Sequence, residues 1–427
     1  MSAGGPSRAE VPPDTRPGAL LLGGLRRGAL LVFVPVFAAG QLLAWLTYAA
    51  TGWYGPRSWG EIGLAVSLTS VRVPFEGTVS IRDGVVAADG ASTSQLVIAT
   101  GALTIAVVVL AYRAGRAQGR GLEQRPISAG VAGSIVGFGF GILAFVVSLP
   151  VSLSFARFGI DHLEPVRWQA FVLPVLVAGA AGAIGGLARA RERLSEGGGA
   201  TALAAIDGGA RALWWGTVLA LVGVLFVAAL SPAPVGSYAR FVERAGAGGA
   251  ATLVGHALLL PNQSVLVLAT SMGATTTLQV GSNGALDLTW RGIEANGSAG
   301  GFLAAIAGSG GLEVARFPWW FAGFFLVPLA ATVIGGRTAA RDARTLRERV
   351  GRGAAAGVVF AALCALAVWA ASITLPTFGL GHLGAITIGA APLLTGVLAA
   401  AWGVPGAATG AAIPWPARLS AARARPR

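Results

Sequence analysis

Residues 255–273 read GHALLLPNQSVLVLATSMG, and this stretch decides how the rest of the chain is arranged. It is apolar enough to enter a bilayer, yet Pro261, Asn262 and Gln263 interrupt it at its centre. If the stretch crosses the membrane, every later segment changes side. If it enters and returns, or lies along the interface, the later segments keep their sides. We expect a broken segment, because proline lacks the N–H that an inner helical turn needs.

The composition around this stretch is that of a polytopic membrane protein. Of the 427 residues, 54% are hydrophobic and 11% are charged, with a mean hydropathy of +0.70. A soluble domain cannot hide so much apolar surface, and repeated apolar runs of about 20 residues have the length that crosses a bilayer. The net charge of +13 does not indicate a nucleic-acid partner, because the arginines that carry it lie in short loops between apolar runs.

The apolar runs predict an all-α fold with eight transmembrane helices. They cover residues 29–50, 95–112, 128–153, 168–188, 212–231, 317–334, 353–375 and 384–404. Polar insertions between some of the runs carry β-hairpin signals. Asp83-Gly84 and Asn283-Gly284 are each flanked by β-prone residues, and both pairs suit a type I′ turn. The insertions are therefore predicted to form small hairpin-like structures outside the membrane.

A short internal match suggests two parallel halves of four helices each. The sequence FGIDHL at 158–163 recurs as FGLGHL at 378–383, and each copy precedes the last span of its half. The predicted organisation is listed from the N-terminus. It comprises a disordered cytoplasmic tail (1–27), a first membrane repeat (28–193) with an outer insertion (51–94), a cytoplasmic linker (194–207), a second membrane repeat (208–414) with an outer insertion (232–316), and a basic cytoplasmic tail (415–427). In this scheme residues 255–273 belong to an insertion found in the second half only.

The distribution of charge favours a segment at 255–273 that does not cross. With eight spans and a cytoplasmic N-terminus, 22 arginines lie inside and 9 outside, and the net charge is +14 inside and −1 outside. This agrees with the positive-inside rule. A ninth crossing at 255–273 would move the six arginines of residues 337–352 outside. We therefore predict a re-entrant or interfacial segment in a bacterial plasma-membrane protein with both termini in the cytoplasm.

Six positions are candidates for function. His256, Pro261, Asn262 and Gln263 could line a cavity between the halves with a broken backbone, or could merely turn the chain and satisfy freed backbone groups.

The other two candidates, His162 and His382, could form a titrating pair, or could close helix turns at the interface. Asp161 has Gly381 at its matching place, which weakens a shared metal site. The chain lacks the HExxH, GxSxG and P-loop patterns, so we predict no enzyme, no metal and no cofactor.

The stretch LLLPNQSVLVLATSMGA at 258–274 resembles the streptophobe-like and related uncharacterised polytopic membrane proteins of actinobacteria. These place a Leu-Pro-Asn element in an apolar segment before an outer Gly/Ser/Thr-rich stretch. The resemblance implies a polytopic fold, and it implies neither an activity nor a catalytic residue.

Three function classes follow: a structural or assembly component of the cell envelope, a channel or transporter with a path near Pro261-Asn262, and an intramembrane enzyme. The first is favoured. The expected partners are the lipid bilayer and either an envelope protein or a small solute.

Overall fold

The structure is a computed structural model. It describes residues 17–51, 59–79, 92–123, 125–155, 160–191, 198–230, 243, 247–280, 284–297, 317–376 and 385–413. Within these ranges eight helices are long and apolar enough to cross a membrane: Pro17–Thr47, Pro126–Ser148, Arg167–Ala190, Ala200–Leu230, Leu253–Ser271, Phe321–Ala339, Leu346–Ala371 and Pro392–Ala412. The predicted all-α polytopic membrane fold is confirmed, and the protein is an integral membrane protein.

The described residues of the first half form six helices and four strands. In order they are α1 (Pro17–Arg27), α2 (Val34–Thr51), α3 (Trp59–Thr69), β1 (Phe75–Val79), β2 (Ser92–Leu96), α4 (Gly101–Gln118), α5 (Pro126–Ser148), β3 (Leu153–Phe155), β4 (Ile160–Pro165) and α6 (Arg167–Arg191). A π-helical turn, Gly28–Phe33, joins α1 to α2. Of the predicted disordered tail, Pro17–Arg27 is thus helical, because its leucines continue the apolar surface of the first span.

The described residues of the second half follow a similar order, with five helices and five strands. They are α7 (Gly198–Leu230), α8 (Ala247–Ser271), β5 (Thr276–Val280), β6 (Gly284–Thr289), β7 (Gly292–Gly297), α9 (Leu326–Ala339), α10 (Leu346–Ala371), β8 (Ile373–Pro376), β9 (Ala385–Ala390) and α11 (Pro392–Ala412). A 3₁₀-helix, Trp319–Phe325, leads into α9. Residues 198–207, predicted as linker, are the start of α7, and residues 385–390, predicted as the start of the last span, form a strand.

The eight candidate spans are not the eight that the sequence predicts. Helix α4 is absent from the set, because Arg113, Arg116 and Gln118 lower the mean hydropathy of its 18 residues. Its predicted start was also wrong, since Gln95 and Leu96 belong to β2. Helix α8, which contains most of residues 255–273, takes the place of α4 in the set.

The strands form two antiparallel sheets with the same internal order. The first has the order β2-β1-β4-β3, and the second has the order β7-β6-β5-β9-β8. Strands β1 and β2 pair antiparallel, as do β5 and β6, but the registers, Val79 with Ser92 and Gln279 with Ala285, do not match the predicted two-residue turns. Asp83, Gly84 and Asn283 lie outside the described residues, and Gly284 is the first residue of β6.

The edge strands of the two sheets meet at one antiparallel bridge. Val97, which follows β2, pairs with Thr374 of β8, and each backbone N–H donates to the carbonyl of the other at 2.8 Å. The two sheets are therefore joined edge to edge at this one bridge, and we call the joined sheets the nine-strand layer.

The C-terminal turns of α3 and α8 are built alike. Arg72 and Gly273 both have positive φ, 60° and 98°. In each case the next N–H donates back to a carbonyl five residues earlier, from Val73 to Leu68 and from Ala274 to Ala269. This is the bonding of a Schellman cap. Helices α3 and α8 therefore end in the same way before the first strand of their sheets, and the prediction of an insertion unique to the second half stays a prediction.

The sheet register does not follow the hexapeptide match. His162 lies in β4 opposite Thr78 of β1, and Thr387 holds the matching place in β9, opposite Gln279 of β5. His382 precedes β9 and lies outside the described residues. The two histidines are therefore not equivalent positions of the two sheets, and the predicted repeat of four helices per half stays a prediction.

Glycines let the helices behind the sheets approach closely. A Cβ added to Gly115 of α4 or to Gly133 of α5 would overlap the carbonyl oxygen of Gly182 in α6. In the second half, Gly357 of α10 faces Gly403 of α11 in the same manner. Such small-residue contacts replace the hydrophobic driving force that helices lack in a membrane.

Candidate functional site at the junction of the halves

Helix α8 is continuous through Pro261, so the predicted break is wrong. The helix runs unbroken from Ala247 to Ser271, with Pro261 inside it. Proline removes the N–H that would bond the carbonyl of Ala257, and Ala257 is exposed rather than buried in the bundle. Packing of the C-terminal half of α8 against α7 and α10 supports the helix beyond that point.

Asn262 is the polar centre of the junction. It is 3% exposed, and its Nδ2 donates to the carbonyls of Ala99 at 2.9 Å and Ala371 at 3.3 Å. The N–H of Gly101 donates to its Oδ1 at 2.9 Å. One amide thus joins α8 to the start of α4 in the first half and to the end of α10 in the second. Both amide protons and the carbonyl oxygen are used, as burial in an apolar bundle requires.

Gly101 makes this contact possible. A Cβ at that position would overlap Oδ1 of Asn262 and would lie 3.1 Å from Cβ of Pro261. Pro261 thus contributes to the packing of α8 on α4, rather than to a turn.

The other predicted site residues do not join Asn262. His256 and Gln263 are exposed on α8, and His162 lies in β4 of the first sheet. Among the described residues, no group of three or more His, Cys, Asp or Glu side chains could hold a metal ion. The structure therefore brings Asn262 and Pro261 into one contact and leaves the remaining candidates apart.

The end of α8 is buried within the bundle, and its polar groups have partners. Thr270 Oγ1 bonds the carbonyl of Leu266 and Thr276 Oγ1, each at 3.0 Å, and Ser271 Oγ donates to the carbonyl of Leu268 at 2.7 Å. Trp402 Nε1 of α11 donates to the carbonyl of Met272 at 3.2 Å. The indole of Trp402 thus bonds a carbonyl just past the end of the helix, where no further helical N–H can reach it.

Arg72 is the feature of the junction that sequence reasoning missed. Its guanidinium carbon lies 4.4 Å from the ring centroid of Trp369 in α10, so the first half contacts the second through a cation–π pair. Its Nε is buried without a hydrogen-bond partner. Burial lowers the pKa of the guanidinium, because desolvation penalises the charged form. No sequence signal marks this position, because the left-handed backbone at Arg72 normally favours glycine.

The strain at Arg72 gives a test that compares two variants. Arg72→Gly and Arg72→Ala both lose the contact with Trp369, yet only alanine keeps a Cβ in the left-handed conformation. We expect the glycine variant to be more stable by about 1 kcal/mol. The measurement is the midpoint of unfolding in detergent. As a control, Ala65→Gly inside α3 should lower stability by about 1 kcal/mol. An alanine variant as stable as the glycine variant would contradict the claim that the backbone at Arg72 is strained.

Two cavities lie away from this junction. One has a volume of about 680 Å³ and lies beside the turn between β6 and β7. Its lining includes the aromatic residues Trp290 and Trp319 and the charged residues Arg291 and Glu294. The other, of about 320 Å³, is lined by Arg113, Arg116, Ala117, Arg120 and Arg189 at the far ends of α4 and α6.

Known protein-family models, curated proteins and solved structures give no match to this chain.

Proposed function

We propose that the protein is a structural or assembly component of the cell envelope, and that its nine-strand layer is its working surface. The observation that carries this proposal is the Val97–Thr374 bridge, which makes one layer from the sheets of both halves. Asn262 supports it, because its amide is consumed in bonds between α8, α4 and α10 rather than presented to a path.

The proposed topology places the layer outside a bacterial plasma membrane and both termini in the cytoplasm. The arginine-rich ends of α4, α6, α9 and α10 lie at the opposite ends of these helices from the strands. By the positive-inside rule, that side is cytoplasmic.

In this topology α8 enters the bundle from outside and the chain returns as β5. Asn262 contacts the strand-side ends of α4 and α10. Met272, ten residues later, contacts Trp402, which lies ten residues into α11. At 1.5 Å per residue, Trp402 is about 15 Å from the strand-side end of its helix. Strand β5 then pairs with β9 next to the start of α11. Such a segment is tolerated where surrounding protein satisfies its backbone.

A channel or transporter is the second candidate, supported by the buried C-terminus of α8. Helix ends inside a membrane can coordinate ions or solutes through their carbonyls. Trp402, Thr270 and Ser271 occupy several of the groups that such a site would need.

A cross-link between the two sheets tests which function applies. Val97 and Thr374 form a hydrogen-bonded pair, for which Cα atoms lie about 5.5 Å apart, a distance that a disulfide can span. Cysteines would be placed at both positions in a Cys364→Ala background and introduced into cells that lack the native gene. We expect loss of the gene to increase sensitivity to detergent, and the oxidised cross-linked protein to restore resistance fully.

Two results would contradict the structural proposal. One is normal detergent resistance in cells without the gene. The other is resistance that returns only when a reducing agent opens the cross-link, because a transporter must move its halves relative to each other. The single variants Val97→Cys and Thr374→Cys control for the substitutions. A pair across β5 and β6, Gln279 and Ala285, controls for a disulfide within one sheet.

A further inference from the structure

We propose that the cavity between α4 and α6 binds the phosphate head group of an anionic lipid of the inner leaflet. Its volume is about 320 Å³, and four of its five lining residues are arginines. Arg113, Arg116 and Arg120 follow each other at intervals of three and four residues, so they share one face of α4. Arg189 faces them from α6.

Four guanidinium groups line the cavity, and the carboxylate of Glu123 approaches one of them. Glu123 is the one acidic residue in the sequence from Arg113 to Arg125, and it lies 3.3 Å from Nε of Arg189. Arg27 of α1 lies close enough to Arg120 for the two charges to interact. Gln118 Nε2 donates to the carbonyl of Leu20 at 2.6 Å and so holds α1 beside α4. Like charges this close repel each other, and an anion in the cavity would relieve that repulsion.

The second half shows that topology alone does not require such a cluster. Helix α9, which holds the place of α4, has one arginine, Arg337. In the loop and the first two turns of α10, Arg341 pairs with Asp342 and Arg352 pairs with Glu348, and the five arginines there are spread over residues 341–352. Arginines thus mark the cytoplasmic side of both halves. The cavity lined by four arginines lies between α4 and α6, in the first half of the chain.

The face of α4 above the arginines points to a lipid rather than to a soluble phosphate. Ile105 and Val109 are exposed and lie on the same face as Arg113 and Arg116, at intervals of four, four and three residues. An acyl chain can lie along Ile105 and Val109 while its phosphate reaches the arginines. Guanidinium groups bind phosphate through paired, charge-assisted hydrogen bonds, and basic pockets between helices at this depth suit anionic head groups.

Native mass spectrometry of the full-length protein tests the site. Phosphatidylglycerol and cardiolipin would be titrated against phosphatidylcholine, with Arg116→Gln/Arg120→Gln compared to the matched pair Arg344→Gln/Arg347→Gln. Arg344 and Arg347 are exposed on the same side of the protein, away from the cavity. We expect the first pair to weaken binding of the anionic lipids at least tenfold and the second to change it less than twofold.

Three outcomes would overturn the proposal. The first is an equal loss in both pairs, because the lipid would then respond only to general basic charge. The second is equal affinity for phosphatidylcholine. The third is binding of inorganic phosphate as tight as that of the lipids, which would assign the cavity to a soluble anion.

A second pair of variants guards against a folding defect. Arg116→Lys/Arg120→Lys keeps the charge, and its affinity for the anionic lipids should stay within about threefold of the native protein. Loss of binding in a lysine pair that elutes as a monodisperse protein would also overturn the proposal, since phosphate attraction needs the charge.

Discussion

Replacing Asn262 by alanine is expected to lower the free energy of unfolding by about 2–5 kcal/mol. The variant loses three hydrogen bonds and leaves the carbonyls of Ala99 and Ala371 and the N–H of Gly101 without this partner. Each unsatisfied buried group costs about 1–3 kcal/mol, and relaxation around the site reduces the sum. The measurement is unfolding of the detergent-solubilised protein, followed by tryptophan fluorescence during heating or during titration with a denaturing detergent.

Gln263→Ala is the matched control for this prediction. Gln263 is the neighbouring amide on the same helix, but it is exposed. Its replacement should change stability by less than about 0.5 kcal/mol. Equal losses in the two variants would contradict the role of Asn262 as a bond between the halves. An Asn262→Ala protein of native stability that loses a solute flux would instead support the transport alternative.

Replacing Gly182 by valine is expected to prevent assembly of α4, α5 and α6. Gly182 lies where the three helices meet, and a Cβ there would overlap the carbonyl oxygen of Gly133. The obstructing atom belongs to the backbone, so a change of rotamer cannot relieve the overlap and the helices must separate. We expect a loss of more than about 3 kcal/mol, at the upper end of the cost of overpacking, and little monodisperse protein on size-exclusion chromatography.

Gly255→Val provides the control for the effect of valine in a helix. Gly255 lies within α8, and no atom lies within 4 Å of an added Cβ. This variant should be recovered in near-native yield. A Gly182→Val protein with native yield and melting temperature would show that the close approach of α4, α5 and α6 is not needed for the fold.

The helices of this protein were predictable because their signal is local. A run such as Pro126–Ser148 is apolar along its whole length, and burying it in lipid stabilises it whatever its neighbours are. The sequence predicted this helix at residues 128–153, close to its observed bounds. The predicted range extends too far at its end, because Leu153 starts β3. The arginines beside each run likewise predict its orientation without knowledge of the packing.

The short elements were predicted less well because their stability comes from partners far along the chain. Helix α3 has 11 residues, too few to form alone in water, and it was missed. Strand β9 was taken for the start of a span, because its sequence AITIGA is as apolar as the helix that follows. Its pairing with β5, more than 100 residues earlier, makes it a strand.

At the candidate site, too, the sequence predicted what is local and missed what depends on distant partners. The sequence alone identified Asn262 as an unusual polar residue in an apolar segment, because a buried amide needs partners. It could not supply those partners, which lie 161, 163 and 109 residues away. For that reason the predicted broken segment was wrong while the choice of residue was informative. Arg72 was not identified at all, since its contact with Trp369 and its backbone strain exist only in the folded chain.

The sequence by itself thus determined that this chain lies in a membrane, where seven of its eight candidate spans lie, and which ends carry the arginines. These properties follow from the free energy of transferring each segment between water and lipid, and each segment contributes its own share. The tertiary structure alone decided that α8 continues through Pro261, that α3 ends in the same kind of cap, and that one bridge joins the two sheets. Those features depend on hydrogen bonds and close contacts between residues far apart in the chain, whose geometry no local pattern contains.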